Sequence, residues 1–246
     1  MHDGPVTHIT LARPEVRNAL SDALIAQLFE VFSGLPQECR AVVLGGEGKS
    51  FCAGGDLEWM RRAAGYTEEE NYFDALALAH LYESISTCRP VVIARINGHA
   101  FGGGAGLVAA CDVAISADSA LFSFSEVKLG LVPATISRFV VPKIGHGHAR
   151  ALFTTGEPFG ADHAQRIGLV HRVCELDQLD AQVSDVLSHV LKSGPEAVHR
   201  SKLLAQQPAG RNEDNARLLA SVRATPEAQE GISAFLEKRP ASFVEA

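Results

Sequence analysis

Short apolar runs alternate with helical periodicity along the first two thirds of this chain, and then the runs stop. Val6–Arg13 alternates in strand fashion up to Pro14. Ser21 is placed to cap an amphipathic helix reaching Leu35, with Leu24, Leu28, Val31 and Phe32 on its inner face. Ala41–Leu44 is a short apolar strand ended by Gly45-Gly46. The stretches Asp56 to Ala64 and Glu68 to Ser86 have helical periodicity and are broken at Gly65–Tyr66. After Pro90 come a buried strand, Val91–Ile96, a glycine turn and a short helix to Ala110. Two further strands follow, Asp112–Ser116 and Ala120–Glu126. Beyond Pro133 short helical pieces surround one last strand, Gly168–Val173. From about Asp177 the pattern is wholly helical, with Pro195 and Pro226 suited to first helical turns. This alternation predicts an α/β core over 1–190 and a helical C-terminal region over 191–246.

Composition narrows the function classes. With 246 residues, 46 % of them hydrophobic, and 22 glycines, the chain is expected to form an ordinary globule. A net charge of −7 and the lack of any basic run argue against nucleic-acid binding. No apolar run approaches membrane-spanning length, so no membrane insertion is expected. The opening MHDGPVTHIT carries neither a cationic leader nor an apolar signal segment. Five scattered cysteines without a CxxC spacing are expected to be reduced thiols of a cytoplasmic protein.

The chemistry concentrates between Asn97 and Ala134, NGHAFGGGAGLVAACDVAISADSALFSFSEVKLGLVPA. The triplet Gly102–Gly104 opens a helix and leaves backbone N–H groups unshielded by any Cβ. Downstream, Glu126 lies among Phe124, Val127 and Leu129, where an apolar setting disfavours its charged form and raises its pKa. A second strand, glycine turn and helix start is spelled by Phe51-Cys52-Ala53-Gly54-Gly55-Asp56-Leu57, with Asp56 suited to a helix N-terminus. Two such turns can each aim one backbone N–H at a carbonyl oxygen, forming an oxyanion hole.

Rival readings of the glycines fail on spacing. Gly45-Gly46-Glu47-Gly48-Lys49-Ser50 ends like a phosphate-binding loop, but Val43 occupies its required first glycine. Gly104-x-Gly106-x-x-Ala109 matches a dinucleotide fingerprint, yet too few residues precede the next strand at Asp112 to form a crossover helix. Gly145-His146-Gly147-His148 has no third ligand nearby and reads as a helix-boundary loop. His99 reads as a packing residue, and Arg17 and Arg138 as surface arginines able to meet a substrate carboxylate.

FCAGGDL, NGHAFGGGAGL, the Ala120–Pro133 block and the C-terminal GISAFLEKR together resemble the crotonase family, the enoyl-CoA hydratases and isomerases. The resemblance runs from the first strand to the last helix. It implies a spiral of ββα repeats with a helical trimerisation region, assembled as a homotrimer or a dimer of trimers. It also implies an acyl-CoA thioester as substrate, with no separate cofactor because coenzyme A is part of that substrate. By motif position the oxyanion amides are those of Gly55 and Gly103, and Glu126 is the proton carrier. Ala53 matches a position on the CoA adenine and pantetheine side, Lys49 one near the CoA phosphates, and Phe235 and Lys238 positions that cover CoA. Asp56, Leu57, Gly106 and Pro133 fall among the positions lining the same site.

Two departures stand out. Relatives with two glutamates carry the first where this chain has Gly106, which can neither hold nor deprotonate water. A glycine-rich family turn is replaced by Pro133-Ala134-Thr135-Ile136-Ser137, whose hydroxyls are candidates for the acyl pocket. The SEVKLGLVPATIS stretch looks most like bacterial hydratases acting on branched or glutaconyl-type esters. Hydration of an enoyl-CoA is therefore the leading expectation. A Δ3,Δ2-enoyl-CoA isomerase using the single glutamate, a non-catalytic acyl-CoA binder and a decarboxylase are the alternatives.

Overall fold

The computed structural model describes residues 2–207 and 210–244. Ten strands and ten α-helices among them follow the order β1 (His2–Asp3), β2 (Val6–Leu11), α1 (Asp22–Ser33), β3 (Ala41–Gly46), β4 (Ser50–Cys52), α2 (Leu57–Ala63), α3 (Glu68–Thr87), β5 (Val91–Ile96), β6 (His99–Phe101), α4 (Gly103–Ala110), β7 (Val113–Ala117), β8 (Leu121–Ser123), α5 (Ala134–Thr155), β9 (Phe159–Gly160), α6 (Ala161–Arg166), β10 (Arg172–Cys174), α7 (Leu179–Leu191), α8 (Pro195–Ala205), α9 (Asn212–Arg223) and α10 (Pro226–Glu237).

Each turn of the chain feeds two sheets. The strands form a six-stranded sheet ordered β1-β2-β3-β5-β7-β10 and a four-stranded sheet ordered β4-β6-β8-β9; in the three repeats β3–β4, β5–β6 and β7–β8 the first strand enters the larger sheet and the second the smaller. Pairing is parallel throughout except at β1–β2 and β8–β9. Parallel strands covered on both faces need unbroken apolar runs, and AVVL of β3 and VVIA of β5 supply them. Val42, Leu44, Val92 and Ala94 face a core shared with Phe51, Phe122 and helices α1, α3, α4 and α5. The alternate residues Val43, Val91 and Ile93 face Leu179, Val183 and Val186 of α7.

Several expectations hold and several shift. Ser21 caps α1 by accepting from the Leu24 amide, and Pro195 and Pro226 open α8 and α10. On α1 the buried residues are Ile25, Leu28 and Phe32, whereas Val31 is exposed. The strand expected over Ala120–Glu126 ends at Ser123, because a 3-10 helix, Ser125–Leu129, takes the following residues. The last strand is Arg172–Cys174, shifted from Gly168–Val173, because Gly168 adopts φ +85° in the turn after α6. His99–Phe101 is a strand that apolar periodicity missed, being too short to show alternation. The C-terminal segment is helical as expected, and Lys202 joins it to the core. Its ammonium, almost fully buried, pairs with Asp112 at 2.8 Å and donates to the Pro90 carbonyl at 3.0 Å.

The segment before α1 anchors the first glycine turn. The Leu20 amide donates to the Gly54 carbonyl at 2.7 Å, and the Asp56 amide donates to the Leu20 carbonyl at 2.8 Å. Asn18, fully buried with φ +56°, braces this segment. Its side-chain amide donates to the carbonyls of Glu47 and Ser50 at 2.9 and 2.8 Å, and its oxygen accepts from the Arg13 amide at 2.9 Å. Replacing Asn18 with Ala strands all three backbone groups, and a loss of about 3 kcal/mol is expected from the urea midpoint of unfolding.

Candidate active site

The two glycine turns lie against each other because they follow neighbouring strands of one sheet. β4 runs into Ala53-Gly54-Gly55 and β6 into Gly102-Gly103, and β4 pairs with β6 in parallel. A Cβ placed on Gly54 would stand 3.8 Å from the Gly103 nitrogen and 2.9 Å from the Phe101 carbonyl oxygen. Both turns need backbone that L side chains resist, φ +95° at Gly54 and +49° at Gly102. In the bridge between Leu20 and Gly55, Leu20 bonds to Gly54 and Asp56, so the amide of Gly55 points to the opposite side. Gly103 is the first residue of α4, ahead of the first intrahelical donor, Gly106. Neither amide has a partner among the described residues, and both glycines are partly exposed.

Glu126 stands over the second turn. Its Oε1 is 3.5 Å from where a Cβ on Gly102 would be, while Oε2 is buried with no hydrogen-bond partner among the described residues. Burial raises its pKa, opposed only by its own backbone amide. Phe124 is buried beside it, as the sequence implied. Leu129, expected to enclose the acid, is instead exposed, because the 3-10 helix turns it outward.

The position expected to lack a carboxylate is not empty. A Cβ on Gly106 would overlap Ile136 Cγ2 and come within 2.9 Å of Tyr82 Cζ. Tyr82, wholly buried on α3, and Ile136 on α5 already fill that volume. No periodicity signalled this pairing; the one hint was a tyrosine in the apolar stripe of α3. Of the hydroxyls considered for the pocket, Ser137 donates to the Ala134 carbonyl at 2.7 Å, and Thr135 is half-buried.

The remaining candidates divide. Ala53 opens the first turn and is half-buried, while Pro133 is buried ahead of α5. Leu57, just after the first turn, is exposed, as is Lys49 at the other end of β4. Asp56 serves the scaffold: its carboxylate caps α2 by accepting from Glu58 and Trp59 and pairs with Arg13 at 2.9 Å. Burial works to raise its pKa, but the Arg13 bond and the cap amides prevail and lower it. Phe235, at 82 % exposure, and Lys238 end α10, whose bonds go to its own C-terminal segment and to the start of α8 rather than to the glycine turns. His99 is a packing residue, stacked on Phe101 and accepting from the Leu121 amide. Arg138 pairs with Glu83, and no group of metal-ligating side chains occurs among the described residues.

Two unpartnered amides at abutting turns, with a half-buried carboxyl above them, form an arrangement with the donors an oxyanion needs and a group able to carry a proton. The family model for enoyl-CoA hydratase/isomerase matches residues 2–246. The chain belongs to that family. It is 37 % identical over 240 residues to the enoyl-CoA hydratase ACTT6 of Alternaria alternata, covering 92 % of this chain and 77 % of that one. It is 32 % identical over 241 residues to a crotonyl-CoA hydratase of Syntrophomonas wolfei, covering 94 % and 92 %. The crystal structure of an enoyl-CoA hydratase from Shewanella pealeana superposes with a TM-score of 0.94 at 33 % identity, covering 98 % and 94 %.

Two outcomes follow from the packing and the charge. Gly106→Ala is expected to destabilise the fold by roughly 1–3 kcal/mol through overpacking against Ile136 and Tyr82, read from the thermal midpoint. For Glu126, the folded protein holds the proton more tightly than the unfolded chain does. Its contribution is therefore present below the ordinary glutamate range and is lost as pH rises through the elevated folded value. The stability of Glu126→Gln relative to the unaltered protein should accordingly grow as pH is raised from about 4 toward 7.

Proposed function

We propose that this protein is an enoyl-CoA hydratase, adding water across the 2,3 double bond of an acyl-CoA thioester. The observation that carries the reading is the unpartnered Oε2 of Glu126 beside the free amides of Gly55 and Gly103. As water attacks Cβ, negative charge gathers on the thioester oxygen, where the two amides receive it. Glu126 takes the proton from the attacking water and delivers one to Cα, leaving the carboxylate as it began. Its raised pKa makes the carboxylate a stronger proton acceptor than an ordinary glutamate.

The adjoining residues take the rest of the ester in this reading. Ala53 and Leu57 flank the pantetheine, Lys49 meets the CoA phosphates, and Pro133 borders the acyl group. Phe235 and Lys238 cover CoA across a contact between copies, within a homotrimer or a dimer of trimers. The exposure of Phe235, Leu236 and Leu219 on helices that bury little supports that role for 191–246. The five free thiols suit a cytoplasmic setting.

A Δ3,Δ2-enoyl-CoA isomerase is the second reading, favoured by one observation. With the space at Gly106 filled by Tyr82 and Ile136, the acyl group meets a single carboxyl, and isomerisation needs only one. Incubation with separate 2-enoyl and 3-enoyl thioesters distinguishes the two. Consumption of the 2-enoyl ester with gain of a hydroxyl supports hydration, whereas conversion of the 3-enoyl ester alone replaces it with isomerisation. Glu126→Gln is expected to lower kcat by roughly 10²–10⁴-fold while CoA-ester binding persists, measured by calorimetry alongside turnover.

A further inference from the structure

Tyr82 sits in the buried stripe of α3 with Leu81 and Ile85, a place where a phenylalanine would pack equally well. A hydroxyl in such a place is a burden unless it finds a partner. It finds one, donating to the Gly103 carbonyl at 2.9 Å. The same oxygen lies 3.0 Å from the Cβ positions of both Gly103 and Gly106, so it occupies the groove of the first turn of α4 and requires glycine at both. Burial drives the pKa of this phenol well up, and the nearby Cys52 and Glu126 reinforce the shift, so it stays protonated and remains a donor.

The residue whose carbonyl it holds is the residue whose amide faces the site. The Gly103 amide shares its peptide plane with the Gly102 carbonyl, which accepts from the Gly106 amide at 3.1 Å; the plane on the other side of the Gly103 Cα, free of any side-chain restraint of its own, carries the carbonyl that Tyr82 holds. An oxyanion donor works only when its direction is set before the charge appears. We propose that Tyr82 is a positioning residue: its hydroxyl holds the peptide plane that follows Gly103, as the Gly106 amide holds the plane before it, and the two together set the direction of the Gly103 amide at the thioester oxygen. The inference rests on the reading of Gly103 as an oxyanion donor.

The test is the thioester carbonyl stretch of a bound acyl-CoA, followed by difference infrared spectroscopy in the unaltered protein and in Tyr82→Phe. That substitution removes the hydroxyl and keeps the ring. Binding to the unaltered protein is expected to lower the stretching frequency. In Tyr82→Phe the lowering shrinks and kcat falls roughly five- to tenfold, as expected for one neutral hydrogen bond, while KM stays within about twofold. Ile136→Val perturbs the same packing without touching the hydroxyl and leaves the carbonyl frequency of the bound ester unchanged. Incorporated 3-fluorotyrosine, a stronger phenol donor, preserves the lowering and provides a readout should Tyr82→Phe fold poorly; a lowering lost with fluorotyrosine overturns the proposal. A full lowering with unchanged kcat in Tyr82→Phe also overturns it, as does an equal loss in Ile136→Val. An unshifted carbonyl in the unaltered protein overturns the reading of Gly103 itself.

Discussion

Parallel pairing between β4 and β6 sets the geometry on which the site depends. Strands side by side and pointing the same way deliver their following turns to the same end of the sheet, so Gly54-Gly55 and Gly102-Gly103 meet although nearly fifty residues separate them. The order of strands shows how this arises: each repeat places its first strand in the larger sheet and its second in the smaller one. The larger sheet holds the core through apolar runs buried on both faces. The smaller one, built of strands of two or three residues, exists largely to carry turns. Stability and chemistry are thereby divided between the two sheets.

The anchoring of the first turn shows how much structure a two-glycine loop needs. Leu20 bonds both sides of it, Asn18 braces Leu20's segment against β4, and Asp56 ends it with a helix cap and an ion pair to Arg13. Asp56 therefore works on the backbone of the turn and leaves the reacting atoms to others. Glu126 is the opposite case. A buried carboxyl oxygen without a partner among the described residues is costly to stability, and this one stands beside the two unpartnered glycine amides.

Legibility in the sequence followed the length of the signal. The long apolar runs of β3 and β5, the Ser21 cap and the prolines of α8 and α10 were readable because periodicity, capping and proline chemistry act locally. Glycine spacing and one acid in apolar sequence pointed to the candidate site residues for the same reason. The strand His99–Phe101 was invisible, since three residues cannot display a period. The end of β8 was misplaced because a 3-10 helix and a strand draw on similar residues there, and the difference decides which way Leu129 faces. Least readable was the neighbourhood of Gly106. Sequence showed a missing carboxylate but not what takes its place, and tertiary packing brings in Tyr82 from α3 and Ile136 from α5, neither adjacent in the chain.

That filled volume bears on ancestry as well as on chemistry. A lineage moving between one-carboxylate and two-carboxylate versions of this scaffold cannot pass through a glutamate at residue 106 alone, since the intermediate would collide with its own core. Tyr82 and Ile136 would have to shrink first, opening a void before any acid arrived to use it. Residues 82, 106 and 136, far apart in the chain, are thereby tied to one another in what each can become.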